Sequence, residues 1–208
     1  MKDLINSIQN LKNSEISEVI ESRIEEFSKI KEGGIEEIFI ELCFCIMTAN
    51  CGAEKCIEIH DLIGEDFLNL SEEGLVHKFK EYGYRFPNVR ANYIIKARDY
   101  KDQLNEILFF SQDRLDLRNK LVKTIKGLGY KESSHFLRNI GFTDYAIIDF
   151  HIVDLLERYN FIEKPKTMTK NKYHEIERVL LKLGEKMGLN LAELDLYLWY
   201  LETGKVLK

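Results

Sequence analysis

The residues with the clearest chemical potential lie in a glycine turn within residues 125–137. Gly127 and Gly129 flank the apolar Leu128 between two stretches of helical pattern. Such a turn leaves backbone N–H groups open to an anion, and the N-terminus of the following helix adds partial positive charge. The pattern indicates a phosphate-binding helical hairpin at about 118–140, although ordinary helix connections also use such turns. Leu128 is expected to pack beneath the turn.

A lysine and a carboxylate follow this turn at a fixed separation. Lys131 lies two residues after Gly129, and Asp149 lies eighteen residues after Lys131, before a new helical pattern that includes His151. Asp149 alone is explained as the N-cap of that helix, since Asp is favoured there. Beside a phosphate-binding hairpin, the two residues also form a candidate catalytic pair. His135 is expected to face a phosphate or solvent.

The charge of the chain is distributed unevenly. The net charge of −5 argues at first sight against a nucleic-acid partner. However, residues 1–77 carry 6 basic and 17 acidic side chains, whereas residues 78–101 carry 7 and 2 and residues 118–138 carry 6 and 1. A solvated helix face is the ordinary explanation of two such basic blocks of +5 each, but because phosphate binding depends on local potential, the negative total does not exclude a nucleic-acid partner. We expect a strongly acidic face turned away from it.

Helices are the elements that must position these groups. The chain is 45% hydrophobic with only 2 Pro in 208 residues, and no period-two alternation is visible. Apolar spacing predicts an all-α protein forming a single unit over 1–208, with 163–172 as an exposed loop. Helices are predicted over 3–31, over a buried segment 35–48, after Ser71, Asn88 and Asp113, over 169–187, and over 191–202 after the cap Asn190.

The four cysteines do not form a recognisable ligand pattern. Cys43, Cys45, Cys51 and Cys56 have the spacing C-x-C-x5-C-x4-C, which matches neither zinc-ribbon nor common cluster motifs. They are interpreted as core cysteines. With no visible signal peptide and no apolar stretch near the ~20 residues of a membrane span, we expect a cytoplasmic protein with no membrane partner.

The combination of hairpin and carboxylate resembles the helix-hairpin-helix DNA glycosylase superfamily. Gly127, Gly129, Lys131, Asp149 and His151 match its G-h-G-x-K turn and the apolar-Asp-x-His segment at the expected separation. The resemblance implies a fold of two helical lobes with the active site in the cleft between them.

Two further segments resemble the type-2 8-oxoguanine glycosylase/lyase branch of archaea and some bacteria. They are 41–50, which reads as a buried helix ending in Asn50, and 84–94, which contains Phe86; the terminal Lys208 adds to the match. Related branches carry four C-terminal cysteines for an iron–sulfur cluster, but no cysteine here follows Cys56. The resemblance therefore implies no cofactor and no metal.

The resemblance also implies a chemistry. Lys131 would be the nucleophile that attacks C1′ of an extruded nucleotide, and Asp149 would stabilise the cationic sugar. The resulting Schiff base would allow β-elimination at the abasic site. The implied partner is double-stranded DNA containing 8-oxoguanine. We expect the protein to be a monomer associated with a prokaryotic nucleoid.

Recognition of the damaged base is assigned to four residues. Phe86 and Trp199 are stacking candidates that could equally be core residues, and Asn50 either fills the gap left by the base or merely ends a helix. The resemblance places the carboxylate of Lys208 near the base, whereas a frayed terminus is the ordinary alternative.

Two other functions stay open. A glycosylase of the same fold acting on oxidised pyrimidines or mismatched bases would use the same lysine and carboxylate. A non-catalytic DNA-binding module would use the hairpin alone, but it would not need Lys131 and Asp149 at this separation.

Overall fold

Helices make up all the regular structure of residues 2–208, which the computed structural model describes. Met1, the first residue of the predicted unit 1–208, lies outside the described residues. No strand is present in the described chain, so the all-α prediction is confirmed. The helices are α1 (Lys2–Lys12), α2 (Ile16–Glu32), α3 (Ile35–Thr48), α4 (Ala53–Ile63), α5 (Asp66–Asn69), α6 (Glu72–Glu81), α7 (Pro87–Arg98), α8 (Lys101–Phe109), α9 (Arg114–Thr124), α10 (Tyr130–Asn139), α11 (Phe150–Arg158), α12 (Lys170–Met187) and α13 (Leu191–Thr203).

Helix α3 is the centre of the molecule, as its apolar sequence predicts. Every residue from Leu42 to Thr48 is buried. It packs against α2, α4, α5, α7, α8 and α10, because a helix that is apolar on most sides must be surrounded. The neighbouring α10 is buried from Ser133 to Asn139, and it carries the predicted hairpin on its N-terminal side.

The apolar side chains form two cores. The first contains buried residues of α3 to α10 together with the hairpin residue Leu128. The second is built from α1, α2, α11, α12 and α13, so the two ends of the chain share one core. The segment 145–148 passes between the cores, since Tyr145 belongs to the first and Ile148 to the second.

Side-chain caps begin the helices at most of the predicted positions. Ser71, Asp113, Thr169 and Asn190 each accept a hydrogen bond from a backbone N–H of the first turn. The predicted start after Asn88 is two residues too late. Helix α7 begins at Pro87, and the missing N–H of a proline costs nothing at the first helical position.

Three predictions of helix extent need correction. The predicted helix 3–31 is two helices, which break at residues 13–15. The loop predicted for 163–172 ends earlier, because α12 already begins at Lys170. Helices α4, α5 and α8 were not predicted; none of the three has a side chain that caps its N-terminus.

A buried ionic cluster fastens α9 to α12. The guanidinium of Arg118, which is 0% exposed, makes a bidentate contact with Glu177 at 2.5 and 2.8 Å. Arg114 donates to the same carboxylate at 2.7 Å. Burial opposes ionisation of Glu177, but the hydrogen bonds and charges of the two arginines prevail and hold its pKa below the usual carboxyl value.

We expect Glu177→Gln to lower the free energy of unfolding by about 3–5 kcal/mol, because it leaves the Arg118 guanidinium buried without its anion. The difference from wild type should shrink as pH falls through the lowered pKa of Glu177, since its stabilisation is present only while it is ionised. Urea denaturation at several pH values measures both effects. The matched control is Glu175→Gln, which breaks only the exposed pair with Lys172 and should change stability by less than about 1 kcal/mol. Equal losses in the two variants would contradict the assignment.

No helix in the described part of the chain is long and apolar enough to cross a membrane.

Candidate active site

The predicted hairpin is formed by the connection between α9 and α10. Gly127 has a φ of +97°, which L side chains rarely adopt, and a Cβ there would lie 2.5 Å from the ring of Tyr93. Both observations require glycine. Leu128 is 5% exposed and packs into the first core, as predicted. The glycine turn thus lies against α7, the helix that follows Phe86.

The second glycine of the hairpin already has an anionic partner. The N–H of Gly129 donates to the Glu132 carboxylate at 3.1 Å, which satisfies one of the unpaired N–H groups at the start of α10. A carboxylate oxygen therefore lies where a phosphate oxygen would accept the same hydrogen bond.

Lys131 lies in the first turn of α10 and is half-buried. Among residues 2–208, its ammonium has no hydrogen-bond or ion-pair partner. Its positive charge acts on the side chains of Cys45, Cys56, His135 and Asp195, so the amine faces α3, α4 and α13 at once.

Asp149 is the N-cap of α11, as predicted. Its Oδ1 accepts the N–H of Ile152 at 3.0 Å, and this bond fixes the direction of the half-buried carboxylate. The preceding segment is held by α12: Tyr173 donates its hydroxyl to the Ala146 carbonyl at 2.7 Å and accepts the N–H of Ile148 at 3.2 Å. The position of Asp149 thus depends on a buried tyrosine of a distant helix.

A second carboxylate, Asp195 of α13, lies within electrostatic reach of both predicted catalytic residues. Burial raises its pKa to about 6, and the negative charge of Asp149 acts in the same direction. The positive charges of Arg138 and Lys131 oppose that rise. Because Lys131 and Asp149 both act on this one carboxyl group, α10, α11 and α13 bring the two predicted catalytic residues to the same site.

A continuous chain of buried polar groups leads away from Asp195. Arg138 donates to Asp195 at 2.6 Å and to the side-chain oxygen of Asn139 at 2.8 and 3.0 Å. Asn139 donates to Glu41 at 2.6 Å, and Glu41 accepts from Lys208 at 3.0 Å. This series of hydrogen bonds connects α13, α10 and α3 to the terminal residue Lys208.

The terminal Lys208 is docked, which excludes a frayed end. Its ammonium contacts Glu41, lies 3.1 Å from Nδ1 of His60, and lies 4.4 Å from the centroid of the Phe44 ring. Burial, together with the positive charge of Lys208, lowers the pKa of His60. The imidazole is therefore suited to accept a hydrogen bond from the ammonium.

The expectation that His135 faces a phosphate or solvent is wrong. It is 7% exposed and packs edge-on against Phe44 at 5.6 Å. Burial, reinforced by the charges of Arg138 and Lys131, lowers its pKa well below the usual histidine value, although the backbone of Lys208 acts in the opposite direction. His135 is thus a buried, neutral ring within electrostatic range of both Lys131 and Lys208.

An open cleft of about 560 Å³ lies beside the start of α4. On one side it is lined by Trp199 and His151, whose rings meet edge to face at 5.1 Å. The Nε1 of Trp199 is buried without a hydrogen-bond partner in the described chain. The remaining lining residues are Gly52, Ala53, Glu54, Lys55, Glu58, Thr203, Lys205 and Leu207. The cleft is large enough for an extruded nucleotide.

Phe86 and Asn50 lie outside the lining of this cleft. Phe86 is half-buried at the start of α7, with the guanidinium of Arg85 4.9 Å from its ring centroid. Asn50 is exposed after α3 with a φ of +60°, so it projects from the connection that leads to the cleft residues Gly52 and Ala53.

The sequence reasoning missed Asp195, Arg138, Glu41 and His60. Glu41 and Asp195 are carboxylates inside predicted apolar helices, and a charged residue in such a helix is the signal that could have found them. His60 lies in α4, which was not predicted, and Arg138 lies in the basic block of the hairpin, so neither carried a comparable signal. Their partners lie 57 to 167 residues away in the chain, which the local pattern does not reveal.

Comparison with known proteins identifies relatives along almost the whole chain. Residues 20–189 match the family model of 8-oxoguanine DNA glycosylase. An 8-oxoguanine DNA glycosylase/AP lyase of Methanocaldococcus jannaschii is 51% identical over 99% of both chains, and one of Korarchaeum cryptofilum is 49% identical over 99% of this chain and 98% of the relative.

Solved structures agree with these relatives. The M. jannaschii 8-oxoguanine glycosylase/lyase, in complex with a 15mer DNA containing 8-oxoguanine, superimposes with a TM-score of 0.95 at 51% identity over 99% of both chains. The 8-oxoguanine DNA glycosylase of Thermotoga maritima gives 0.93 at 39% identity over 100% of this chain and 99% of that one. The predicted superfamily and its helical fold are confirmed, and the chain belongs to the 8-oxoguanine DNA glycosylase family.

Proposed function

We propose that this protein excises 8-oxoguanine from double-stranded DNA and then cleaves the abasic site by β-elimination. The observation that carries the proposal is that Lys131 and Asp149, at the N-termini of α10 and α11, both act electrostatically on the buried Asp195. The names of the relatives, 8-oxoguanine DNA glycosylase/AP lyase, support both activities. One chain supplies every group in the scheme, so we expect a monomer acting on chromosomal DNA in the cytoplasm.

The hairpin is the proposed grip on the DNA backbone. The turn of Gly127 and Gly129 lies at the positive end of α10, and a phosphate there would compete with Glu132 for the N–H of Gly129. Lys126, exposed beside the ring of Tyr93, adds positive charge to the same surface. Binding should therefore weaken as the salt concentration rises.

Lys131 is the proposed nucleophile. Its neutral amine attacks C1′ of the extruded nucleotide, the bond to the base breaks, and the base leaves with the bonding electron pair. Loss of the amine proton and opening of the sugar give a Schiff base between Nζ and C1′. Removal of a C2′ proton then expels the 3′ phosphate, which is the lyase step. Hydrolysis of the Schiff base returns the free amine.

Asp149 is the proposed electrostatic partner of this step. Its carboxylate, aimed by the bond to the Ile152 N–H, stabilises positive charge on the sugar as the base departs. It can also take the proton that the lysine must lose. The N-cap and the catalytic role are compatible, because one oxygen suffices for the cap.

The docked terminus and the aromatic residues form the proposed base site. Trp199, on the wall of the cleft, offers a flat face, and Phe86 is the second stacking candidate. The carboxylate of Lys208 is proposed to accept the N7 proton that 8-oxoguanine has and guanine lacks. Asn50 is proposed to fill the space that the base vacates.

Two other functions make different predictions. A same-fold glycosylase for oxidised pyrimidines or mismatched bases would release thymine glycol or uracil faster than 8-oxoguanine from matched duplexes. A non-catalytic module would bind each duplex without forming a covalent adduct. A substrate panel with borohydride trapping separates all three functions.

We expect Lys131→Gln to abolish the borohydride-trapped adduct with 8-oxoguanine duplex and to slow strand cleavage about 1,000-fold or more, because no amine remains to form the Schiff base. Denaturing gels measure both. The matched control is Lys126→Gln, which removes a charge from the same hairpin and should keep the adduct at saturating enzyme. An adduct that survives in Lys131→Gln would refute the assignment.

We expect Asp149→Asn to slow excision about 100-fold or more while folding is retained, because Asn caps a helix as well as Asp but cannot stabilise a cation. Single-turnover excision and thermal unfolding measure the two properties. Asp113→Asn, the same change at the N-cap of α9, should leave excision within about twofold, since surface substitutions have small effects. Equal rates in the two variants would remove Asp149 from the mechanism.

We expect deletion of Lys208 to slow 8-oxoguanine excision about tenfold or more, the value of one charged hydrogen bond, while cleavage of a preformed abasic site persists. The two substrates, tested with one protein preparation, separate base recognition from Schiff-base chemistry. A parallel loss on both substrates would mean that the terminus supports the fold and does not read the base.

A further inference from the structure

The hydroxyl group of Tyr173 on α12 lies where three parts of the chain meet. It donates to the Ala146 carbonyl at 2.7 Å and accepts the N–H of Ile148 at 3.2 Å, and both groups belong to the segment that ends at Asp149. The same oxygen lies 3.2 Å from the hydroxyl of Ser134 on α10. Tyr173 and Ser134 are both buried, so these hydrogen bonds are shielded from water.

Each side of this hydroxyl lies next to a proposed catalytic residue. Ile148 directly precedes Asp149, the N-cap of α11. Ser134 lies three residues after Lys131, so the two are neighbours one helical turn apart on α10. The hydroxyl of Tyr173 therefore connects the helix that supplies the amine to the segment that supplies the carboxylate.

The direction of these hydrogen bonds follows from the chemistry of the groups. A carbonyl only accepts, so the phenolic proton of Tyr173 goes to Ala146, and the contact with Ser134 takes the serine proton. The serine oxygen accepts from the Arg118 guanidinium at 3.1 Å, which leaves its proton for Tyr173 or for the Tyr130 carbonyl at 2.9 Å. Burial raises the pKa of Tyr173, so the phenol keeps its proton and the link stays neutral.

Contacts other than the hydroxyl determine where Tyr173 itself lies. The centroid of its ring is 5.7 Å from that of Tyr130 and 5.2 Å from the guanidinium of Arg118. About one turn later on α12, Glu177 accepts the N–H of Ala146 at 3.2 Å and binds Arg118. These contacts do not use the hydroxyl, so its contribution can be measured separately by removing it alone.

We propose that the hydroxyl of Tyr173 is a positioning group that sets the separation between the Lys131 amine and the Asp149 carboxylate. Because Tyr173 is buried, it acts through α10 and through the segment before α11. The inference rests on the proposed function, in which the amine attacks C1′ while the carboxylate stabilises the sugar. Displacement of reacting groups by about 1 Å can slow a reaction about 100-fold, so this link controls the rate of the chemical step and not the affinity for DNA.

Tyr173→Phe tests the hydroxyl, since it retains the ring and the contacts of the ring. We expect the maximal single-turnover rate constant of 8-oxoguanine excision to fall about tenfold or more, while the enzyme concentration at half of that rate stays within about twofold. Cleavage of a preformed abasic site should slow as well, because Lys131 attacks C1′ in both reactions. A partly unfolded protein would lower the amplitude of the reaction and leave its rate constant unchanged.

The matched control is Tyr145→Phe. The hydroxyl of Tyr145 is also part of a buried side chain, and it donates to the Arg114 carbonyl at 2.9 Å. This change removes a comparable hydrogen bond but leaves the link to α10 intact, so we expect a rate constant within about twofold of wild type. Thermal unfolding compares the stability of the two variants. Equal rate losses would mean that any loosening of the segment slows excision, and would overturn the proposal.

Ser134→Ala tests the other side of the link, and it decides the question should Tyr173→Phe not fold. It keeps both hydrogen bonds of Tyr173 to the segment and removes the contact with α10. We expect the excision rate constant to fall about threefold or more, and the losses should not multiply in the double variant, because both changes break one link. A smaller loss, or losses that multiply, overturns the proposal.

The wild-type rate separates this inference from the function on which it rests. Absence of 8-oxoguanine excision by the wild-type protein would contradict the proposed function, and the positioning role would fall with it. An active wild type with an unchanged rate constant in Tyr173→Phe would contradict the positioning role alone.

Discussion

The buried ion pair between Arg138 and Asp195 is the interaction on which the site depends. It connects α10, which carries Lys131, to α13, which carries Trp199 and leads to the terminus. The guanidinium also lies 4.7 Å from the centroid of the Phe27 ring on α2. Removing either charge would leave the other in an apolar interior, which is strongly unfavourable. The ion pair therefore holds α10 and α13 in one relative position.

The chain of hydrogen-bonded side chains from Asp195 to Lys208 connects the proposed sugar site to the proposed base site. Its ends are the Asp195 carboxylate, within electrostatic range of the proposed nucleophile, and the ammonium of Lys208, the residue that carries the terminal carboxylate. Since each intermediate group has both neighbours fixed by hydrogen bonds of 2.6 to 3.0 Å, the base site and the sugar site are preorganised relative to each other. Preorganised charges need no rearrangement as the transition state forms.

Local chemistry made part of this structure predictable. Ser71, Asp113 and Asn190 cap helices because each supplies an oxygen at the required position, and Gly127 could be predicted because only glycine tolerates its backbone angle. Helices α4, α5 and α8 start without a side-chain cap, so this local sequence signal did not indicate where they begin. Asp195 and Glu41 find their partners at separations of 57 and 98 residues, which only the folded chain brings together.

The contact between Glu132 and Gly129 has a consequence for how the protein searches DNA. A phosphate that reaches the Gly129 amide replaces a carboxylate that already accepts its hydrogen bond, so the exchange gains little free energy. If the hairpin binds DNA as proposed, this exchange would shorten each encounter with an undamaged stretch. Such weak, replaceable backbone contacts let a protein slide and hop along a duplex. In the proposed DNA complex, the Glu132 carboxylate would thus favour movement along undamaged DNA by occupying the amide that a phosphate would otherwise hold.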